Sequence, residues 1–274
     1  MKRKTRKAVL PYIILAILAF IFALPLVWLL LSALDPGASQ SFTVPDRLSL
    51  ANFREVWTNA RNLRGFLNSL FISVIQTTIV MICSLLAAYP LSRYALKAGQ
   101  KISMGLLFLT SIPITAVMVP VYQMFISMEL VDSVWGVILF LSASALPYGI
   151  WMTKNFMDAV PVELEEAAWI DGASSLQSIR KVVLPLILPG VFTVTIFTFV
   201  GSWGNFFVPF ILLQSTEKMT ASINIYHYFG EQGVIMYGQL AAYSLSYITP
   251  SLLLYFFAQN YMSKGFSMVG GTKG

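Results

Sequence analysis

The sequence predicts an all-α membrane protein with six transmembrane helices, and three observations carry that expectation. Of its 274 residues, 57% are hydrophobic and only 11% charged, so too few charged groups remain to coat a soluble globule. Six long apolar runs contain no Asp, Glu, Lys or Arg. Between the fourth and fifth runs lies one hydrophilic stretch, Pro161 to Pro189. With Asp158 just upstream it gathers five of the twelve carboxylates, the others being Glu163, Glu165, Glu166 and Asp171.

In chain order, a basic start (Lys2, Arg3, Lys4, Arg6, Lys7) precedes an uncharged run from Ala8 to Leu34, too long for a cleaved leader and therefore the first span. A polar segment from Asp35 to Phe66 follows, with turn signals at Asp35-Pro36-Gly37 and Pro45-Asp46 and a short helical pattern around Leu50 to Trp57. The second span covers about Leu67 to Tyr89 and closes on Arg93. The third covers about Ile102 to Met128, and Glu129 and Asp132 mark the turn after it. The fourth covers about Val134 to Met152, the fifth about Pro185 to Phe207, and an irregular stretch from Pro209 to Gly238 leads to the sixth, about Leu240 to Gln259. Pro113, Pro120, Pro147 and Pro250 are expected to kink the spans that hold them. The layout divides the chain into 1–66, a core of five helices over 67–262 with the hydrophilic segment at about 158–185, and a tail over 263–274.

Positive charge orients this layout. Of the 18 Lys and Arg, 13 fall at the N-terminus, at Arg93, Lys97 and Lys101, at Lys154, Arg180 and Lys181, and at Lys264 and Lys273. Arg47, Arg54, Arg61, Arg64 and Lys218 lie on the other side. That bias places both termini and the hydrophilic segment in the cytoplasm. The net charge of +6 thus records orientation, and with no basic patch interleaved with aromatics it does not point to nucleic acid. Cys83 is the one cysteine and reads as a small core residue. His227 is the one histidine and receives no role, and no metal site is expected.

The hydrophilic segment reads as two short helices meeting at a glycine. Pro161 suits a first helical turn, and Glu163, Glu165 and Glu166 lie near the positive end of the helix dipole. Leu164, Ala167 and Ala168 share one face, and the two alanines leave it low enough for another backbone to approach. Gly172 can take the left-handed conformation that ends a helix. Ser174 and Gln177 then have the spacing of a capping box. In the second helix Leu176, Ile179, Val182 and Val183 form the apolar side, and Leu184-Pro185 leads into the fifth span. A solvated connector is the bland alternative to a docking surface.

Glu166-Ala167-Ala168, Gly172, Val182, Leu184 and Pro185 match E-A-A-x3-G-x9-I-x-L-P, departing only in Val182 for Ile. This pattern resembles the EAA motif of the membrane subunits of bacterial ABC importers. Looser matches extend the resemblance over nearly the whole chain to the carbohydrate-uptake permeases of the MalG type: PDRLSLANFREVW, Asn68-Ser69, Arg93-Tyr94, Ser202-Trp203-Gly204-Asn205 and the closing Gly270-Gly271-Thr272-Lys273-Gly274. The resemblance implies the MetI-like importer permease fold, a multi-pass place in the bacterial inner membrane, and a coupling helix seated in a cytoplasmic ATPase. Glu166 would pair with a basic residue there, with Asp171 beside it, Ala167 and Ala168 would permit close docking, and Gly172 would set the bend. Gly270, Gly271, Lys273 and Gly274 would contact the ATPase through the tail. The implied partners are a second permease subunit, two ATP-binding subunits and an extracytoplasmic solute-binding protein. ATP and Mg would be bound by the partner ATPase and no cofactor by this chain.

The residues themselves agree that energy comes from elsewhere. The spans lack the ionisable group of a proton relay, and no phosphate-binding loop or catalytic constellation occurs, so the chain is not itself an enzyme. On the fifth span Thr195, Thr198, Ser202 and Asn205 fall along one side, and Ser69, Ser73, Gln76 or Thr77, and Ser84 do so on the second. Such stripes either join helices or line a wet path. Trp203 and Phe206 can stack on a sugar ring or serve an interfacial belt. The readings left standing are a sugar or oligosaccharide importer permease working by alternating access, a permease for another solute such as glycerol phosphate, and a secondary transporter or channel.

Overall fold

The computed structural model describes residues 2–229 and 235–271, with side chains placed for 11–229, 235–259 and Tyr261. The described residues form helices and the turns between them. In order these are α1 (Lys2–Leu34), α2 (Ala51–Thr58), α3 (Ala60–Arg93), α4 (Gly99–Leu109), α5 (Ile114–Ser127), α6 (Val134–Asp158), α7 (Glu163–Ile170), α8 (Ser175–Ser178), α9 (Leu184–Trp203), α10 (Phe207–Leu212), α11 (Ala221–Asn224) and α12 (Tyr237–Gly271). A π-helical turn, Ile179–Val183, joins α8 to α9. Five stretches are long and apolar enough to cross a membrane: Pro11–Leu34, Ala60–Arg93, Val134–Asp158, Ser175–Trp203 and Tyr237–Gln259.

The expected third span differs from its sequence reading. It consists of two helices, α4 and α5, bent by 93° across a four-residue break, and counts as a sixth span only if the pair is taken as one. Pro113 explains the break. It is extended (φ −63°, ψ 129°), cannot donate to α4, and restrains the residue before it from helical geometry. Pro120, Pro147 and Pro250, by contrast, lie inside unbroken helices. The described part of the stretch read as irregular after the fifth span, up to Phe229, is mostly short helical turns.

Two units divide the contacts. The first, residues 1–63 and 224–249, is tied together by two asparagine amides, Asn52 half-buried and Asn62 buried. Asn52 donates to the carbonyls of Ala33 and Asp35 at 3.1 and 2.9 Å, and Asn62 donates to Val56 O at 3.0 Å and to the Tyr228 hydroxyl at 2.6 Å. Along Pro11–Leu34, by contrast, α1 buries almost nothing, so its apolar surface is left for lipid or a neighbour.

The second unit, residues 64–223 and 250–274, contains two apolar clusters. One joins α3, α5, α6 and α10 through Ile72, Phe125, Val137, Leu141 and Leu212. The other joins α3, α6 and α9 through Ala88, Phe156, Met157, Val183 and Ile187. Helices approach closely where a side chain is missing, as expected where lipid offers no hydrophobic drive. A Cβ on Gly190 would lie 2.2 Å from the Phe156 ring, and one on Gly149 would lie 2.4 Å from the Ser84 hydroxyl. Cys83, expected in the core, faces outward instead, on the side of α3 that this chain leaves uncovered.

The α5–α6 turn is fastened by Asp132, which sits at φ 55°. Its Oδ1 accepts from the backbone N–H groups of Gln214 and Ser215, both at 2.9 Å, and its Oδ2 accepts from the Ser215 hydroxyl at 2.5 Å and the Lys218 ammonium at 2.9 Å. Burial opposes ionisation of Asp132, but these donors outweigh it and hold the carboxyl well below the ordinary carboxylate range.

Two outcomes follow for the purified protein in detergent. Gly190→Ala forces a methyl into the buried Phe156 ring and is expected to cost about 1–3 kcal/mol in thermal unfolding. Gly105→Ala, where a Cβ meets nothing within 4 Å, serves as the neutral control. A carboxyl with a depressed folded-state pKa stabilises fully above its unfolded value of about 4, and that stabilisation is lost as pH falls toward the folded value. Asp132→Asn should therefore lower stability near neutral pH by about 1–2 kcal/mol. It should also flatten the loss of stability of the wild type below about pH 4.

Candidate functional site

The hydrophilic segment folds as its local sequence dictates. Pro161 and Val162 supply the first carbonyls of α7, with Val162 O accepting from Glu165 N at 2.9 Å and Glu166 N at 3.1 Å. The helix ends at Gly172, which takes φ +86°. Gly172 N–H donates to Trp169 O at 3.0 Å and Ala173 N–H to Ala168 O at 2.9 Å, the paired bonds of a Schellman ending. Ser174 and Gln177 then cap each other's backbone, at 2.9 and 3.3 Å, and open α8. The chain does not break before the fifth span. The π turn passes α8 directly into α9, with Leu184 N–H donating to Ile179 O. This wider turn leaves room for the ring of Pro185, which would otherwise meet the carbonyl of Lys181 in α-helical geometry.

One side of this hairpin is bare. Glu166, Ala167, Asp171 and Gly172 are exposed and Ala168 is half-buried. Ile170 is 86% exposed and Leu176 74%, so the tip carries apolar side chains as well as carboxylates. Leu176 thus departs from the apolar side expected for the second helix. Leu184 is half-buried and Pro185 exposed.

The other side is anchored by a residue that sequence reading placed only among the dipole-facing glutamates. Glu165 is 0% exposed. Its carboxylate pairs with the guanidinium of Arg93 at the end of α3 and accepts from the Tyr89 hydroxyl at 3.0 Å. Arg93 also donates to Val160 O at 3.1 Å and to the Ser92 hydroxyl at 3.2 Å. Ser92 in turn donates to Asp158 at 2.6 Å, and Asp158 pairs with Lys154 at 2.5 Å. The network ties α7 to the ends of α3 and α6. No local pattern marks Glu165 as the inward carboxylate, because its partner lies 72 residues away.

The polar stripes divide. Thr198, Ser202 and Asn205 line a cleft of about 200 Å³, facing Gln76 of α3 and Ser144 and Tyr148 of α6. Thr195 instead bonds back to Val191 O at 2.8 Å. Trp203, expected on the path, is 4% exposed and lies flat beside Phe199 and Phe66, so its ring packs the helix bundle. Phe206 stacks on Phe210 with centroids 4.9 Å apart. On the second span Ser69, Ser73, Gln76, Thr77 and Ser84 are all buried. Gly270 and Gly271 end the backbone of α12, whereas Lys273 and Gly274 lie outside the described residues. Among the described residues no group of three His, Cys, Asp or Glu side chains could hold a metal ion.

The chain resembles known proteins over most of its length. Residues 81–264 match the family model described as binding-protein-dependent transport system inner membrane component. The chain is 31% identical to the arabinooligosaccharides transport system permease protein AraQ of Halalkalibacterium halodurans, over 100% of both chains. It is 30% identical to the diacetylchitobiose uptake system permease protein NgcG of Streptomyces coelicolor, over 91% of this chain and 84% of that protein. A chain from the crystal structure of a bacterial ABC transporter that imports the acidic polysaccharide alginate superposes with a TM-score of 0.82 at 20% identity, covering 95% of this chain and 98% of that one, which establishes a shared fold. The matched segment takes in the exposed hairpin, its buried anchor and the helices on either side, and the chain therefore belongs to the family of binding-protein-dependent transport system inner membrane components, multi-pass proteins of the cytoplasmic membrane.

Proposed function

We propose that the chain is one of two permease subunits of an ATP-driven importer for a sugar or oligosaccharide, and that the hairpin at about 158–185 is the element through which cytoplasmic ATPase subunits drive it. The observation that carries this reading is the hairpin's two-sided construction. Its bare face offers Ala167, Ile170 and Leu176 for apolar contact and Glu166 and Asp171 for basic groups of a partner. Its other face is locked to α3 and α6 through Glu165 and Arg93. A push on the tip is thus delivered to two spans at once. The π turn passes the same displacement into α9, whose polar side lines the cleft.

The remaining parts follow from that assignment. Taking the pair broken at Pro113 as one span gives six, and the distribution of Lys and Arg supports both termini and the hairpin in the cytoplasm. The solute-binding protein docks on the opposite side, a second permease completes the path, and two ATPase subunits hold ATP and Mg. On the family resemblance, Gly270, Gly271, Lys273 and Gly274 are assigned to contact with the ATPase. The relatives named for arabinooligosaccharide and diacetylchitobiose uptake support an oligosaccharide as cargo.

Two substitutions separate the faces. Ile170→Asp alters an exposed side chain and should leave unfolding temperature unchanged while abolishing co-purification of the ATPase and ATP-dependent uptake in proteoliposomes; retention of both would contradict the docking role. Glu165→Gln leaves the Arg93 guanidinium buried without its counter-charge, and should cost about 3–5 kcal/mol of stability. Glu165→Asp, which keeps the charge, should recover part of that loss.

A further inference from the structure

The cleft beside the broken span gathers polar and aromatic side chains from α3, α6 and α9. Thr198 is 5% exposed and Ser202 8%, yet neither hydroxyl has a hydrogen-bond partner among the described residues. Leaving such groups unmet costs stability, which a native structure tolerates where something else meets them. Gln76, buried opposite them on α3, holds Leu141 O at only 3.4 Å. Ile114, the first residue of α5 after the 93° break, forms part of the same wall. Irregular backbone at membrane depth is tolerated where it lines a cavity, and binding sites in transporters gather at such breaks. Phe197 adds an aromatic surface, and no Asp, Glu, Lys, Arg or His side chain lines the cleft.

We propose that this chain itself holds a neutral sugar ring of the cargo, through hydrogen bonds from Thr198, Ser202, Gln76 and Asn205 and contact with Phe197. The assignment rests on the carbohydrate-importer reading and adds to it that this subunit touches the solute. Hydroxyls and amides can both donate to and accept from sugar hydroxyls, and an aromatic face suits the C–H side of a pyranose. An ionised sugar acid would lose its hydration here with no cation to compensate it. The cleft should therefore exclude acidic oligosaccharides, although the fold is shared with an alginate importer.

The test uses the complete assembly with its binding protein, locked with a non-hydrolysable ATP analogue. Retention is measured for radiolabelled maltotriose, arabinotriose, diacetylchitobiose and a mannuronate trisaccharide. A neutral probe should be retained and the mannuronate probe should not. Thr198→Val and Ser202→Ala should each weaken retention about five- to tenfold. Because these hydroxyls satisfy nothing in the protein, unfolding temperature should stay level or rise, which a merely structural role would not give. Unchanged retention in both variants overturns the site, as does retention of the mannuronate probe or of none of the four. Binding-protein-stimulated hydrolysis is read in parallel: its absence in the wild type removes the importer reading, whereas its presence with unchanged retention removes the site alone.

Discussion

The ion pair between Arg93 and Glu165 is the interaction on which the exposed hairpin depends. A carboxylate and a guanidinium removed from water are costly unless each finds the other and its remaining donors and acceptors are met. Here Tyr89, Val160 O and Ser92 meet them. The arrangement is therefore intolerant of partial opening: moving α7 away from α3 would strand both charges at once. The hairpin is held in one position relative to the helix ends, although most of its surface is free. Rigidity at the root and exposure at the tip are what a part that receives force from outside requires. Neighbouring glutamates split the work, with Glu165 turned inward and Glu166 outward.

Elsewhere the membrane as solvent explains features that would be errors in a soluble protein. Large apolar side chains stand exposed along α1, α3 and α12, where lipid or a second subunit can cover them. Attraction between helices must come from close packing and from polar contacts, and both are present. Gly149 and Gly190 admit Ser84 and Phe156, and Ser69 accepts from Ala221 N–H at 2.9 Å.

Much of this was legible in the sequence, because its signals are local. A residue run free of charge marks a span, Ser174 and Gln177 mark a helix start, and only glycine is comfortable at the φ +86° of position 172. What was not legible depends on distant partners. Glu163, Glu165 and Glu166 look alike in sequence, and only the position of Arg93 selects one for burial. Cys83 and Trp203 read by hydrophobicity alone could face either way, since an apolar residue in a membrane protein is as content with lipid as with core. Pro113, Pro120 and Pro147 likewise look alike, yet only Pro113 breaks its span, while the others are absorbed within continuous helices.

Force passing through the hairpin between an ATPase and the spans is tested most sharply at Gly172. The position is exposed, has φ +86° and donates its N–H to Trp169 O, so Gly172→Pro removes both the conformation and the bond. The measurement is binding-protein-stimulated ATP hydrolysis by the purified assembly, wild type against Gly172→Pro. The variant should insert and retain its spans but lose stimulation. Undiminished stimulation in an assembly that contains the variant would contradict force transmission and reduce the hairpin to a connector.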